Sequence, residues 1–278
     1  MRTPGPIRTE HLFAPLHAQL MALLRSLSAE EWNAPTAAGA WTVKDVAAHL
    51  LDTAMRRLSL QRDGHVREGP FDPNAANAVW VEAMQRVSPR VLIELMERYG
   101  RENASFLASL DPFAKAHWGV AWAGEEESPA WFDVARELTE RWHHQQQIRD
   151  AVARPPLYEP YLRFVMDTFV RALPFTYREL SAPEGTTVVF NDWTLVRDVG
   201  QASACPPGRL SDPSEDRLKP VLHWQLYEGR AANPTAVIEI PNEIAWRVFT
   251  KQKIDPHARV EGDARYAEPL LRMVTVIG

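Results

Sequence analysis

The stretch Ala135-Arg-Glu-Leu-Thr-Glu-Arg-Trp-His-His-Gln-Gln-Gln-Ile-Arg-Asp-Ala151 decides how this chain is read. It contains no Gly and no Pro and is rich in strong helix formers, so it reads as helix. Glu140 and His144 stand one helical turn apart, which stacks their side chains on one face. A carboxylate one turn before an imidazole offers a divalent cation two ligands on a rigid surface. The bland reading of the same pair is a solvated Glu–His contact, stabilising the helix by about 0.3 kcal/mol. Trp131, Ala135, Leu138 and Trp142 form an apolar stripe, and Glu140 lies about 200° around the helix from Leu138. Ile148 and Ala151 continue the face of Glu140 and His144, so the helix is expected to be buried on two sides.

Working outward, apolar residues at 12, 16, 20, 23, 24 and 27 mark an amphipathic helix from Leu12 to Leu27. Ser28-Ala-Glu-Glu31 has the form of a capping box opening a short turn to Trp32. Thr42-Val-Lys-Asp45 is a second capping signature and launches a long helix to about Asp63. A further helical piece is expected around Ala75–Gln85, and Ser88-Pro89 opens a helix running to Leu110. His117–Gly124 is expected to be extended, and Ser128-Pro129 starts the helix carrying Glu140 and His144. Four long helices with short links read as an antiparallel four-helix bundle over residues 1–154.

Arg154-Pro155-Pro156 ends that series, and the pattern changes over residues 160–278. A helix over Tyr161–Leu180 precedes strands at Thr186–Phe190 and Trp193–Val199, joined by a tight Asn191-Asp192 turn. After a Pro-, Ser- and Asp-rich loop at 203–220 come strands His223–Tyr227 and Ala236–Ile240 and a helix from Pro241 through Lys251. A short strand at Ala258–Glu261 and a helix near Glu268–Val276 close a smaller α+β domain. The fold class is therefore α+β in two domains, as a length of 278 residues also suggests.

A bundle builds metal sites from inward-facing side chains on adjacent helices, and His49 is the best candidate for a third ligand. Two ligands from one helix and one from a neighbour leave a coordination position open, as in catalytic zinc sites. The bland alternative for His49 is a satisfied core histidine. Asp52, one turn later, is a candidate to orient a ligand by accepting a hydrogen bond from it, against an ion-pair or capping role. Arg56 and Arg57 read as a solvated face or as contacts for an anionic substrate. The tryptophans are expected to fill the core or wall a pocket.

Composition excludes other classes. A net charge of −5 and a pI near 6.0 give no electrostatic footprint for nucleic acid. No stretch reaches the roughly 18 apolar residues of a membrane span, and the N-terminus has no signal-peptide core. The single cysteine, Cys205, lies in Ser-Ala-Cys-Pro-Pro-Gly without an activating neighbour and reads as a bystander. These features suit a cytoplasmic protein with no membrane partner. The chain has no Gly-rich phosphate loop, no Gly-x-Ser-x-Gly elbow and no Cys cluster.

Trp41-Thr-Val-Lys-Asp-Val-Ala-Ala-His-Leu-Leu-Asp52 closely resembles the second-helix signature of the mycothiol-dependent maleylpyruvate isomerase family, within the DinB/YfiT-like metalloenzyme superfamily. Glu140-Arg-Trp-His-His-Gln-Gln-Gln-Ile-Arg-Asp150 matches the family's fourth helix, where a Glu and a His one turn later complete the site. Carried over, His49, Glu140 and His144 fall on the metal-ligand positions; His143 breaks the four-residue step. Ala245-Trp-Arg-Val-Phe-Thr-Lys251 and Ala258-Arg-Val-Glu-Gly-Asp263 resemble more loosely the family's sterol-carrier-like second domain. Lys251 falls where such isomerases place a basic residue near the pocket, the alternative being a solvated helix-end lysine.

The resemblance implies a divalent metal, zinc first with nickel or iron as alternatives, and mycothiol or another small thiol as cosubstrate. The thiolate would add to an activated cis double bond, and rotation and expulsion of the thiol would give the trans isomer. Thiol transfer to a small electrophile is the companion reaction. A non-catalytic metal or small-ligand binding module of the same fold is the alternative function. The expected partners are a small-molecule substrate and a thiol, the protein being a monomer or homodimer.

Overall fold

The structure is a computed structural model and describes residues 1–66, 69, 72–198 and 223–275. Helices α1 (Phe13–Arg25), α2 (Ala29–Trp32), α3 (Val43–Arg57), α4 (Pro73–Met84), α5 (Pro89–Ser109) and α6 (Ala130–Ala151) make up the first part of the chain. α7 (Tyr161–Phe169) and α8 (Leu173–Thr176) follow, and α9 (Asn242–Phe249) and α10 (Ala267–Leu271) come late. Strands β1 (Thr187–Phe190), β2 (Trp193–Arg197), β3 (Trp224–Glu228), β4 (Ala236–Glu239) and β5 (Arg259–Gly262) form one sheet.

The described residues group into two compact units. One is helical and holds Pro6–Ala121 and Glu125–Thr168; the other contains the sheet and holds Met1–Gly5, Trp122–Gly124 and Phe169–Thr275.

Both capping signatures form. Asp45 N donates to Thr42 Oγ1 at 3.3 Å while Thr42 N donates to an Asp45 carboxylate oxygen at 2.9 Å, so the start of α3 satisfies its own orphan amides. Ser28 and Glu31 do the same for α2. From its cap, α3 buries Val43, Val46, Ala47, Leu50, Leu51 and Ala54. Complete burial of a side chain such as Leu50 stabilises the fold by about 2 kcal/mol. α3 packs against α4, α5 and α6, and α1 against α5 and α6.

α6 opens behind Pro129, and its first amides are taken by carbonyls of a preceding loop: Ala130 N donates to Ala114 O at 2.8 Å and Trp131 N to Pro112 O at 2.9 Å. Residues from Phe132 to Ile148 are buried on most sides of α6. Its C-terminal half is clamped to the next loop, with Trp142 Nε1 donating to Leu157 O at 2.7 Å and Leu157 N donating to Gln146 Oε1 at 2.9 Å.

The sheet order is β3-β2-β1-β4-β5, with β1 and β4 parallel and the other pairs antiparallel. The β1–β2 hairpin turns at Asn191, whose φ of +47° suits an Asn, and whose side chain bonds Ile240 N and O. Trp193, Trp224, Trp246, Phe190 and Phe249 fill this unit's core.

The helix expected to about Asp63 reaches Arg62, its last part, Leu58–Arg62, being a π turn closed by Asp63 N donating to Leu58 O at 3.0 Å. Three expectations change. His117–Gly124 forms no strand; it ends in a 3-10 turn at Ala121–Ala123, because the chain doubles back. A Cβ on Gly119 would lie 2.2 Å from Glu126 O, and Gly124 sits at φ +79°. The helix expected over Tyr161–Leu180 breaks into α7, a 3-10 turn at Val170–Ala172 and α8, since Pro174 lacks the amide to bond Val170. The last helix ends at Leu271 rather than near Val276. The 203–220 loop with Cys205 lies outside the described residues.

Candidate metal centre

His49 is buried midway along α3, preceded by Ala47 and Ala48, and Glu140 and His144 sit one turn apart on α6. The two helices pack so that one ligand-type atom from each of the three residues lies within 4.8 Å of the others. His49 Nε2 is 3.2 Å and His144 Nε2 3.1 Å from the same oxygen, Glu140 Oε1. The imidazole centroids are 4.9 Å apart and nearly perpendicular. His49 is 5% exposed, while the Glu140 side chain keeps 23% of its surface, so the cluster lies just beneath the protein surface.

Hydrogen bonding settles what the nitrogens offer. His144 Nδ1 donates to Gln147 Oε1 at 2.8 Å, because an amide oxygen only accepts. In the neutral ring Nε2 is then bare and points its lone pair at an ionised carboxylate. His49 meets a similar conflict, since its Nδ1 is buried without a hydrogen-bond partner. If Nε2 carries the proton, Nδ1 is an unsatisfied acceptor; if Nδ1 carries it, Nε2 faces Glu140 lone pair to lone pair. A cation held among the three atoms removes the repulsion at both Nε2 positions. The donor set of two imidazoles and one carboxylate fits a borderline-soft divalent ion such as zinc.

Electrostatics favour the ligating forms of His49 and Glu140. Burial drives the pKa of His49 below its ordinary value and outweighs the pull of Glu140 in the other direction. For Glu140, burial acts to raise the pKa, but the charge of His144 and the hydrogen bonds of His144 and His49, when their Nε2 atoms carry protons, hold the carboxyl well below the usual range. His143 is a separate case. Its ring lies 4.1 Å from that of His144, Nδ1 meets Thr139 O at 3.0 Å, and burial pushes its pKa down to about 3. It makes no part of the three-residue cluster.

Other candidates fall differently. Asp52 pairs with Arg56 at 2.8 Å, with burial raising its pKa, and it makes no hydrogen bond to the orphaned His49 Nδ1. Lys251 belongs to the sheet-containing unit, where it is exposed just past α9 at φ +63°. Arg57 is not a solvated residue. It is 2% exposed and bridges Asp133 at 2.8 Å and Glu137 at 2.9 Å. Gln147, the partner of His144, was not anticipated, although a Gln three residues after a ligand on the same helix face is a readable signal. Trp142 fills the core, and Trp41 lies against His49 with ring centroids 5.0 Å apart.

Residues 13–149, which include all three clustered side chains, match the sequence profile of the mycothiol maleylpyruvate isomerase N-terminal domain. This stretch is a domain of that family. The crystal structure of the mycothiol-dependent maleylpyruvate isomerase is similar to this chain with a TM-score of 0.55 at 12% identity, over 91% of each chain. That of its histidine-to-alanine mutant gives 0.51 at 12% identity over 86% of each. At this identity the likeness establishes the fold, a helical region followed by an α+β part. No curated protein matches the chain. Among the described residues no helix is long and apolar enough to cross a membrane.

Proposed function

We propose that this chain is a metal-dependent enzyme that uses a low-molecular-weight thiol of the mycothiol type. It isomerises a cis double bond, or transfers the thiol, on a small electrophilic substrate. The observation that carries this reading is the convergence of His49, Glu140 and His144 within a domain of the isomerase family. These residues would hold the metal, zinc being the best fit, in a bundle formed by α1, α3, α5 and α6.

Three protein donors, the cluster found among the described residues, leave coordination positions for an exchangeable ligand, which favours catalysis over a closed structural site. The metal, when bound, supplies the positive charge that makes a thiol at the open position ionise near neutral pH. Glu140 offsets part of that charge. Gln147 keeps the proton on His144 Nδ1, so Nε2 stays available. Trp41 covers one side of His49 and restricts water there. The nucleophile comes from the small thiol, so no activated Ser or Cys of the protein is required.

The test is to incubate zinc-loaded protein with maleylpyruvate, with and without mycothiol, and follow the trans product by NMR. Thiol-dependent conversion that disappears in His144→Ala supports the reading. Zinc-loaded protein that neither isomerises maleylpyruvate or related cis-alkene acids nor joins the thiol to electrophiles contradicts it.

A further inference from the structure

Beside the clustered ligands, the seam between α3 and α6 carries a continuous ladder of buried charge. At its far end Arg57 forks between Asp133 and Glu137, both buried, with its guanidinium 5.1 Å from the centre of the Trp118 ring. Arg141 Nε lies 2.8 Å from the other Glu137 oxygen, an ion-pair contact in which neither atom makes a hydrogen bond. Arg141 in turn reaches across to α3, donating to Thr53 Oγ1 at 3.2 Å and Leu50 O at 3.4 Å. Leu50 follows His49 directly, and Arg141 follows Glu140 directly. The ladder thus runs from Arg57 to within one residue of a ligand on each helix.

We propose that Arg57 is a positioning residue for the metal centre, locking α3 against α6 in the register that brings His49 onto Glu140 and His144. This rests on the metal reading above. Apolar side chains would hold the two helices together without desolvating charge, but apolar packing is non-directional and tolerates sliding. A planar guanidinium with fixed donors does not tolerate it. A slip of one residue moves a helix by about 1.5 Å, enough to break both Arg57 bonds and to separate His49 Nε2 from Glu140. The ion pairs hold the carboxyls of Asp133 and Glu137 below their ordinary range against the effect of burial, so the ladder stays charged at neutral pH.

The experiment compares wild type, Arg57→Lys and Asp133→Asn, with Leu24→Ala as a control that removes buried apolar volume but none of the ladder's charges. Lysine keeps the charge but cannot fork between two carboxylates, and the Asp133→Asn change weakens one arm if the lysine variant folds poorly. Zn²⁺ affinity is measured by chelator competition, the Co²⁺ visible spectrum reports ligand geometry, and apo stability is measured by thermal melting. Arg57→Lys is expected to bind Zn²⁺ about tenfold more weakly or worse, with an altered Co²⁺ spectrum. Asp133→Asn shifts both in the same direction, while Leu24→Ala loses apo stability and keeps wild-type affinity and spectrum. Wild-type affinity and spectrum in Arg57→Lys and Asp133→Asn would overturn the inference while leaving the metal reading intact. So would an equal loss of affinity in Leu24→Ala at matched apo stability. A wild-type protein that binds neither ion would overturn both.

Discussion

Gln147 determines which nitrogen of His144 faces the cluster: its side-chain oxygen accepts from Nδ1 at 2.8 Å, leaving Nε2 directed at Glu140. The bond spans three residues of one helix, so it holds the imidazole without help from a second element. Replacing Gln147 by Leu removes the acceptor but keeps the buried volume. We predict a loss of about 10- to 100-fold in zinc affinity with little change in helix content, measured by chelator competition and circular dichroism. Unchanged affinity would show that packing alone orients His144.

Trp41 provides a local reporter. Its ring centroid lies 5.0 Å from that of His49 and 6.4 Å from that of His144. Binding of paramagnetic Co²⁺ is expected to quench part of the tryptophan fluorescence, and Trp41→Phe to remove most of that quench although nine of the ten tryptophans remain. The same quench in Trp41→Phe would place the ion nearer another tryptophan.

The start of α3 is held by the reciprocal Thr42–Asp45 cap. Thr42→Ala should destabilise the protein by about 1 kcal/mol in chemical denaturation. Because His49 lies less than two turns further along the helix, the change should also weaken metal binding modestly. No effect on stability would mean that tertiary packing alone fixes this end.

His17 is one source of the metal-free protein's pH dependence, beside His49 and His143, whose pKa values burial also lowers. Burial first, then Arg141, Arg101 and Arg25, push the folded pKa of His17 down to about 4. In the unfolded chain the ring titrates near ~6.5. Between these values the unfolded state binds the extra proton, so stability falls as pH falls from about 6.5 toward 4. The slope is at most about 1.4 kcal/mol per pH unit, reduced by solvent screening of the half-buried ring. Urea titrations of His17→Gln in chelator should show a shallower acid slope than wild type; parallel slopes would rule out His17 as a titrating group.

How far this was legible in the sequence depended on whether a signal was local. The caps at Ser28 and Thr42, the proline start of α5 and the Asn191 hairpin rest on neighbouring residues, and they formed as read. The Glu140–His144 step is likewise local, and the family signature placed His49 beside it; the structure brings the three together. Arg57 was illegible because an arginine on a solvated face and one forked between buried carboxylates have the same local sequence. Asp52 and Gln147 are both one turn from a histidine, and only the course of the side chains shows that Asp52 turns to Arg56 and Gln147 to His144. The doubling-back at Gly119 depends on Glu126 passing close by, a tertiary fact that no short window contains.

The most direct test of the central claim is elemental analysis of natively purified protein, with wild type beside His49→Ala and His144→Ala. The account predicts one equivalent of a divalent metal, zinc, in wild type and almost none in either variant, all three remaining folded. Equal, trace metal in all three would contradict it and leave the cluster a pair of core histidines around a carboxylate.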